Sequence, residues 1–469
     1  MNTIEEIYLD EEEYRDSIAT VDSKGKRLWV YPKKPKGSFH TKRIWFSIFL
    51  LTLFFVGPFL QLNNRPFLMF NIFERKFILF GNLFLPQDFH LVALALITMF
   101  VFVILFTVIF GRLWCGWACP QTLFMEMVFR KIEYWIEGDA SQQRKLNARP
   151  WDTDKILRKT AKQIIFIIFS IVIAHTAMAY LISVEKTIEI ISKPPTENWA
   201  GFLGLSFFTF LFYGVFAYLR EQACIAVCPY GRLQGVLLSK DSIVISYDNL
   251  RGEPRGKIKK GVETTNKQGD CIDCKLCVQV CPTGIDIRNG TQLECVNCTA
   301  CIDACDEVME KVEKPKGLIR YASYNNIQKG EKFRLTPRII GYSLVLLALI
   351  SLDIFLMLKR TEVETVILRV PGTLYRELPN GNLTNVYNFQ IANKTFEQIP
   401  ITLKLKDTKG KINIAGGNVI LLEKDQTTHG SFIIELPRES VKGVKTKLLI
   451  EVWAGDKYLE TVPTNFLGN

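Results

Sequence analysis

CIDCKLCVQVCPTGIDIRNGTQLECVNCTACIDAC, residues 271–305, carries eight of the chain's twelve cysteines within 35 residues. Each half follows the spacing C-x2-C-x2-C-x3-C: Cys271, Cys274, Cys277 and Cys281, then Cys295, Cys298, Cys301 and Cys305. Three thiolates at this spacing wrap one corner of a cubane, and the fourth, three residues on, ligates the neighbouring cubane. The crossed assignment is Cys271, Cys274, Cys277 and Cys305 on one [4Fe–4S] centre and Cys295, Cys298, Cys301 and Cys281 on a second. Zinc knuckles and disulfides are the alternatives. Zinc seldom needs four cysteines per half at such compressed spacing, and cysteine pairs in a reducing compartment stay as thiols.

The rest of the chain must segregate apolar from polar material. Of its 469 residues 48% are hydrophobic, with 33 Phe, yet 22% are charged, and the length suggests about three domains. The net charge of +11 is what basic cytoplasmic loops of a membrane protein produce, and no nucleic-acid motif accompanies it. All cysteines lie between 115 and 305, which argues for metal ligation rather than an oxidised framework.

Residues 1–22 are acidic and read as a solvated, partly disordered tail; residues 24–43 carry eight Lys or Arg and no acid. The first apolar run begins only at Ile44, so no cleavable signal peptide is expected. Five runs are long enough to cross a bilayer: 44–62, 90–110, 163–184, 199–219 and 338–358. Lys and Arg number three in the loop 63–89, ten in 111–162 and two in 185–198. The positive-inside rule then puts the N-terminus and the stretch 220–337, with its cysteines, in the cytoplasm and the C-terminus outside, although Lys359 and Arg360 run against it. The expected division is 1–43 tail, 44–219 four spans, 220–337 cytoplasmic region with the two-cluster segment, 338–358 fifth span and 359–469 an outer domain.

The other four cysteines sit in an internal repeat. GRLWCGWACPQT (111–122) follows the second span and REQACIAVCPYGR (220–232) follows the fourth, each giving C-x3-C-P at a cytoplasmic mouth. On a helix, Cys115 and Cys119, like Cys224 and Cys228, would share a face. Proline next suits a helix start, leaving Cys119 and Cys228 near N-caps where thiolate is favoured. Small apolar packing is the bland alternative. The repeat favours a redox or metal role: four soft thiolates suit Cu(I), a further iron–sulfur centre, or a dithiol–disulfide cycle.

Other polar residues are weaker candidates. His175, near mid-span in IVIAHTAMAY, is a candidate metal or redox residue or a neutral His bonded to a neighbouring helix. Asp88 and His90 could meet an outer metal or anchor the interface, and Asp353 is expected to snorkel outward. Four His in all give no confirmable pair for haem. The stretch 123–137, LFMEMVFRKIEYWIE, reads as an interfacial helix on the cytoplasmic leaflet.

After residue 360 the pattern changes to short runs rich in Val, Ile, Leu and Thr: 363–370, 385–393, 399–406, 418–422, 430–436, 446–453 and 457–462. Turn signals such as Pro371-Gly372, Pro379-Asn380-Gly381, Lys409-Gly410, Gly416-Gly417 and Gly455-Asp456 separate them, and IPITLKLK and TKLLIEVW alternate. Seven strands predict an immunoglobulin-like sandwich without the inter-sheet disulfide, a binding or docking module.

Over nearly its full length the chain resembles the CcoG family, also called FixG or RdxA, accessory proteins of cytochrome c oxidase assembly. The resemblance is carried by WVYPKKPKGSFH (29–40), LPQDFH (85–90), the two C-x3-C-P mouths with CPYGRLQ (228–234), the double cluster motif with DACDEVME, and KGLIRYAS (316–323). The chain departs from a plain bacterial ferredoxin where Asp306, not Pro, follows Cys305, which is expected to loosen the turn there. The resemblance implies a multi-pass protein of the bacterial inner membrane: a five-span α-helical bundle with a two-cluster ferredoxin-like insert and a periplasmic immunoglobulin-like domain. It further implies electron transport in which Cu(II) is reduced to Cu(I) for a cbb-type oxidase, with oxidase subunits or copper-delivery proteins as partners, an unnamed electron donor and homo-oligomers as a further expectation. Two other readings stand beside it: a NapH-like quinol dehydrogenase feeding a periplasmic partner, and a non-catalytic redox-sensing scaffold.

Overall fold

The computed structural model describes residues 20–468 apart from 22–23, 25, 63–64, 73–74, 258–267, 415–416, 418 and 425. Most of the acidic stretch 1–22 therefore lies outside the described residues. Five helices are long and apolar enough to cross a membrane: Ser38–Phe59, Phe89–Phe110, Thr153–Ile182, Trp199–Leu219 and Pro337–Leu358. The third extends back to Thr153, well before its apolar run, because Asp152 caps it by accepting from the Lys155 amide at 2.9 Å. Gly57 lets the first span approach the third, since a Cβ there would lie 2.1 Å from the Tyr180 hydroxyl.

The chain divides into two compact units. The first holds most of the helices and the cysteines. Its core stacks Phe129 on Phe216 at 4.4 Å and edge-on to Phe166 at 4.8 Å. Burying each such ring stabilises by roughly 1.5–3 kcal/mol.

The helical stretch 120–136 includes a π turn over Met125–Phe129. One face is buried, with Phe129 at 0% and Arg130 at 1% exposure, while Trp135 on the other is 78% exposed. Its charged residues meet charge from distant elements. Glu133 takes a bidentate pair from Arg220 at 2.8 and 2.9 Å, Glu137 meets Lys159 and Lys162 at 2.9 Å each, and Arg130 lies 3.4 Å from Glu126 and 3.5 Å from Glu221.

Within the same unit, strands Val244–Tyr247 and Ile319–Ala322 pair antiparallel and bracket the cysteine-rich segment. Its short helix Leu276–Gln279 and longer helix Ala300–Lys311 pack on a core of Ile245, Ile302, Met309 and Leu318. The chain before the first span straps across this segment. Lys33 donates its amide to Gln279 O at 2.7 Å, and the amides of Phe39 and His40 reach the Asp303 carboxylate at 3.1 and 2.7 Å. Asp303 thus caps the first span from outside it.

The second unit is an antiparallel sandwich of nine strands: β1 Val363–Arg369, β2 Arg376–Glu377, β3 Leu383–Asn393, β4 Ile399–Lys406, β5 Lys411–Ile414, β6 Ile420–Leu422, β7 Thr427–Leu436, β8 Lys445–Ala454 and β9 Lys457–Leu467. One sheet runs β5-β7-β3-β1 with β2 on β3, the other β6-β4-β8-β9. Tyr387, Ile401, Leu422, Ile434, Ile450 and Phe466, all at 0% exposure, fill the space between them. The seven expected runs all form strands; β2 and β5 are additions too short to show an alternation. Asp88, ahead of the second span, also belongs to this unit. It is buried against Lys394 at 2.5 Å and Arg360 at 2.9 Å.

Candidate redox centre

All twelve cysteines are free. Two cavities open in the 271–305 segment. One is lined by Cys271, Cys274, Cys277 and Cys305 together with Tyr247 and Met309. The other is lined by Cys281, Cys295, Cys298 and Cys301, with Cys277 at its edge and Ile245, Ile285 and Ile287 around it. The first cavity therefore draws three sulfurs from the first half of the motif and one from the second, and the second cavity draws three from the second half with Cys281 and the shared Cys277 from the first.

Backbone conformation repeats with the motif. Asp273, Lys275, Asn297 and Thr299 all have positive φ, at 52°, 57°, 52° and 67°, and they occupy matched places in the two halves. A β-branched residue such as Thr299 rarely adopts this conformation, and such strain concentrates where a loop must wrap a ligand. The sulfurs also receive amide donors: the N–H groups of Thr283, Gly284 and Ile285 point at Cys281. Burial pushes the thiols of Cys277, Cys295 and Cys305 up to about 12, so ionising them together requires a strongly positive group in the cavity. Among the described residues no three His, Cys, Asp or Glu groups are gathered around a single metal ion. The sulfur-lined cavities fit the cubanes that the cysteine spacing predicts.

Asp306 does not loosen the turn after Cys305. The helix Ala300–Lys311 runs straight through both residues, and the Asp306 carboxylate accepts from the Gly317 amide at 2.8 Å. Cys281, by contrast, follows the end of its short helix, and Pro282 fits there.

The four remaining cysteines come together through the repeat. Cys119 and Cys228 are N-caps, each followed by proline at the first helical position. Cys115 lies in the short helix Leu113–Trp117 and Cys224 in a π turn, Ala223–Val227. All four lie close enough to influence one another electrostatically. The two motifs interlock reciprocally: Gln234 of the second donates to Cys115 Sγ at 3.3 Å, and Thr122 of the first lies 3.9 Å from Cys224 Sγ. Burial pushes Cys115 up to about 11 and Cys224 up to about 12, opposite to the thiolate expected for the N-cap members of each pair.

Cys115 packs against a buried cluster that includes Val296 and Cys298, two residues lining the second cavity, and a Cβ on Gly116 would lie 2.3 Å from Val296 O. Gln234, fully buried, and two arginines, Arg43 and Arg112, were not singled out from sequence. The signal was present, since Arg112 and Gln234 lie inside the two mouth motifs. His175 does not join the group: its Nδ1 is engaged by Ile171 O of its own helix at 2.7 Å. Asp88, offered as a metal or anchor residue, is held by two cations, Lys394 and Arg360.

Family models described as "4Fe-4S dicluster domain" and "4Fe-4S binding domain" match residues 219–324 and 92–138, and a third, "IG-like fold at C-terminal of FixG", matches 354–469. The chain is similar to Protein RdxB of Cereibacter sphaeroides, 33% identical over 80% of this chain and 82% of that one. It is similar to RdxA of the same organism, 32% identical over 82% and 83%, and to the nitrogen fixation protein FixG of Rhizobium meliloti, 34% identical over 64% and 58%.

Proposed function

The chain belongs to the FixG/RdxA family of membrane iron–sulfur proteins, and from that membership we propose that it relays electrons to copper, reducing Cu(II) to Cu(I). The reduced ion would serve assembly of a cbb-type cytochrome c oxidase. The observation that carries this reading is the packing of Cys115, one of the four mouth cysteines, against the core cluster that contains Cys298.

We assign Cys271, Cys274, Cys277 and Cys305 to one [4Fe–4S] cluster and Cys281, Cys295, Cys298 and Cys301 to the other, in line with the residues lining the two cavities. Bound clusters supply one-electron transfer. Cys274, exposed, marks the face where a cytoplasmic donor docks. Cys115, Cys119, Cys224 and Cys228 receive the copper substrate; soft thiolates prefer the monovalent product. Buried, protonated Cys115 and Cys224 release protons as the ion arrives, with Gln234 orienting Cys115. The loop charges support a bacterial inner-membrane orientation with the clusters cytoplasmic and the sandwich periplasmic, where it would dock oxidase subunits or copper-delivery proteins.

Full-length protein with chemically reduced clusters is expected to convert Cu(II) to Cu(I), read with a Cu(I)-selective chelator. The double variant Cys115→Ser/Cys119→Ser should lose at least tenfold in rate while keeping its iron–sulfur absorbance. An unchanged rate would overturn the copper site. A second reading, a third iron–sulfur centre on the mouth cysteines, is favoured by the "4Fe-4S binding domain" match, because residues 92–138 contain only Cys115 and Cys119. Eight iron atoms per chain support the copper reading and twelve the third centre.

A further inference from the structure

Arg43 and Arg112 are each only 4% exposed, and neither pairs with a carboxylate among the described residues. Arg43 reaches from the first span to donate through Nε to Gly116 O at 2.7 Å, between the two cysteines of the first mouth. Arg112 donates to Gly231 O in the helix that follows Cys228. Arg43 Nη2 and Arg112 Nε are buried without a partner. Arg112 lies close enough to act on both Cys115 and Cys295, and Arg43 acts on Cys298. Both guanidiniums are therefore bonded to backbone of the mouth motifs and lie near cysteines of the second cavity.

The first cavity is different. Its arginine, Arg288, is neutralised by Asp273 and Asp286, both at 2.6 Å, Asp306 faces Cys305, and Lys275, which also lines it, is exposed. Adding an electron to a cluster adds negative charge, which nearby uncompensated positive charge favours. Exposure of Cys274 and the solvent-screened charge of Lys275 raise the first centre's potential, but two unpaired guanidiniums in a buried site outweigh them.

We propose that Arg43 and Arg112 are positioning residues that set the direction of electron flow, by making the cluster beside the membrane mouth the more readily reduced of the two. This rests on the two-cluster assignment above. Electrons entering near Cys274 would then settle beside Cys115, where a single electron converts thiolate-bound Cu(II) to Cu(I).

The test is an EPR-monitored redox titration of the full-length protein in detergent, comparing wild type with Arg112→Gln, Arg112→Lys and Arg43→Gln. Wild type should show two couples. Both Gln variants should lower the higher-potential couple alone, by a tenfold or larger change in its oxidised-to-reduced ratio at fixed potential, about 59 mV for one electron. Arg112→Lys, which keeps the charge, should restore it. The proposal is overturned if neither couple moves, if both move equally, or if the lower couple moves. Should Arg112→Gln lose its iron, Arg43→Gln and Arg112→Lys decide the matter by the same criteria. Fewer than two spin-active centres in wild type would instead overturn the cluster assignment beneath it.

Discussion

At the residue scale, several buried charges pair with partners remote in the chain. Glu133 illustrates it: burial opposes its ionisation, yet Arg220, Lys162 and Arg130 outweigh that and hold its carboxyl below the usual range. Arg220 reaches it from a backbone position with φ of 53°. Replacing one partner leaves the other buried and unmatched, which costs about 3–5 kcal/mol. Arg220→Met is therefore expected to lower the thermal midpoint of the purified protein strongly, with Glu133→Gln in the same background recovering part of the loss. Equal midpoints for wild type and Arg220→Met would refute the pairing. The cysteines at this scale were readable because their ligand role requires a spacing. The Glu133 pair was not, since nothing near residue 133 announces Arg220.

Among elements, alternating apolar and charged residues over 123–137 announce a helix but not the remote partners Lys159, Lys162 and Arg220 that its acidic residues meet. The first span gains its cap from Asp303, on the helix that also carries Cys301 and Cys305, which ties the cluster segment to the membrane helix. That helix continues through Asp306, where plain ferredoxins place proline. Asp306→Pro is accordingly expected to break it, costing ~3 kcal/mol or more. The measurement is iron content and cluster absorbance after purification, which should fall well below wild type; full iron retention would contradict a continuous helix.

On the scale of the whole molecule, the segment ahead of the second span is tied into the sandwich unit through Asp88. Burial alone would raise this carboxyl, but hydrogen bonds from Lys394 and Arg360 prevail and lower it. A lowered native value means that the stability it contributes is fully present above the ordinary carboxylate pKa of about 3.9 and is lost as pH falls through the native value. In acid titrations of thermal stability, Asp88→Asn is expected to remove that part of the acid sensitivity and to be less stable at neutral pH. A variant with a wild-type acid profile would rule out this role. Arg360, which ran against the charge count for the fifth span, is accounted for by the same pairing. Five membrane helices, an iron–sulfur segment and an immunoglobulin-like sandwich were all legible in the amino-acid order. Each depends on a periodic or fixed spacing of residue types, and such patterns are local. The gathering of four mouth cysteines, the exchange of Gln234 and Thr122 between the two motifs, and the lodging of Arg43 and Arg112 beside the second cavity were decided only by tertiary structure. Each depends on packing between elements tens to hundreds of residues apart, and no local spacing encodes that.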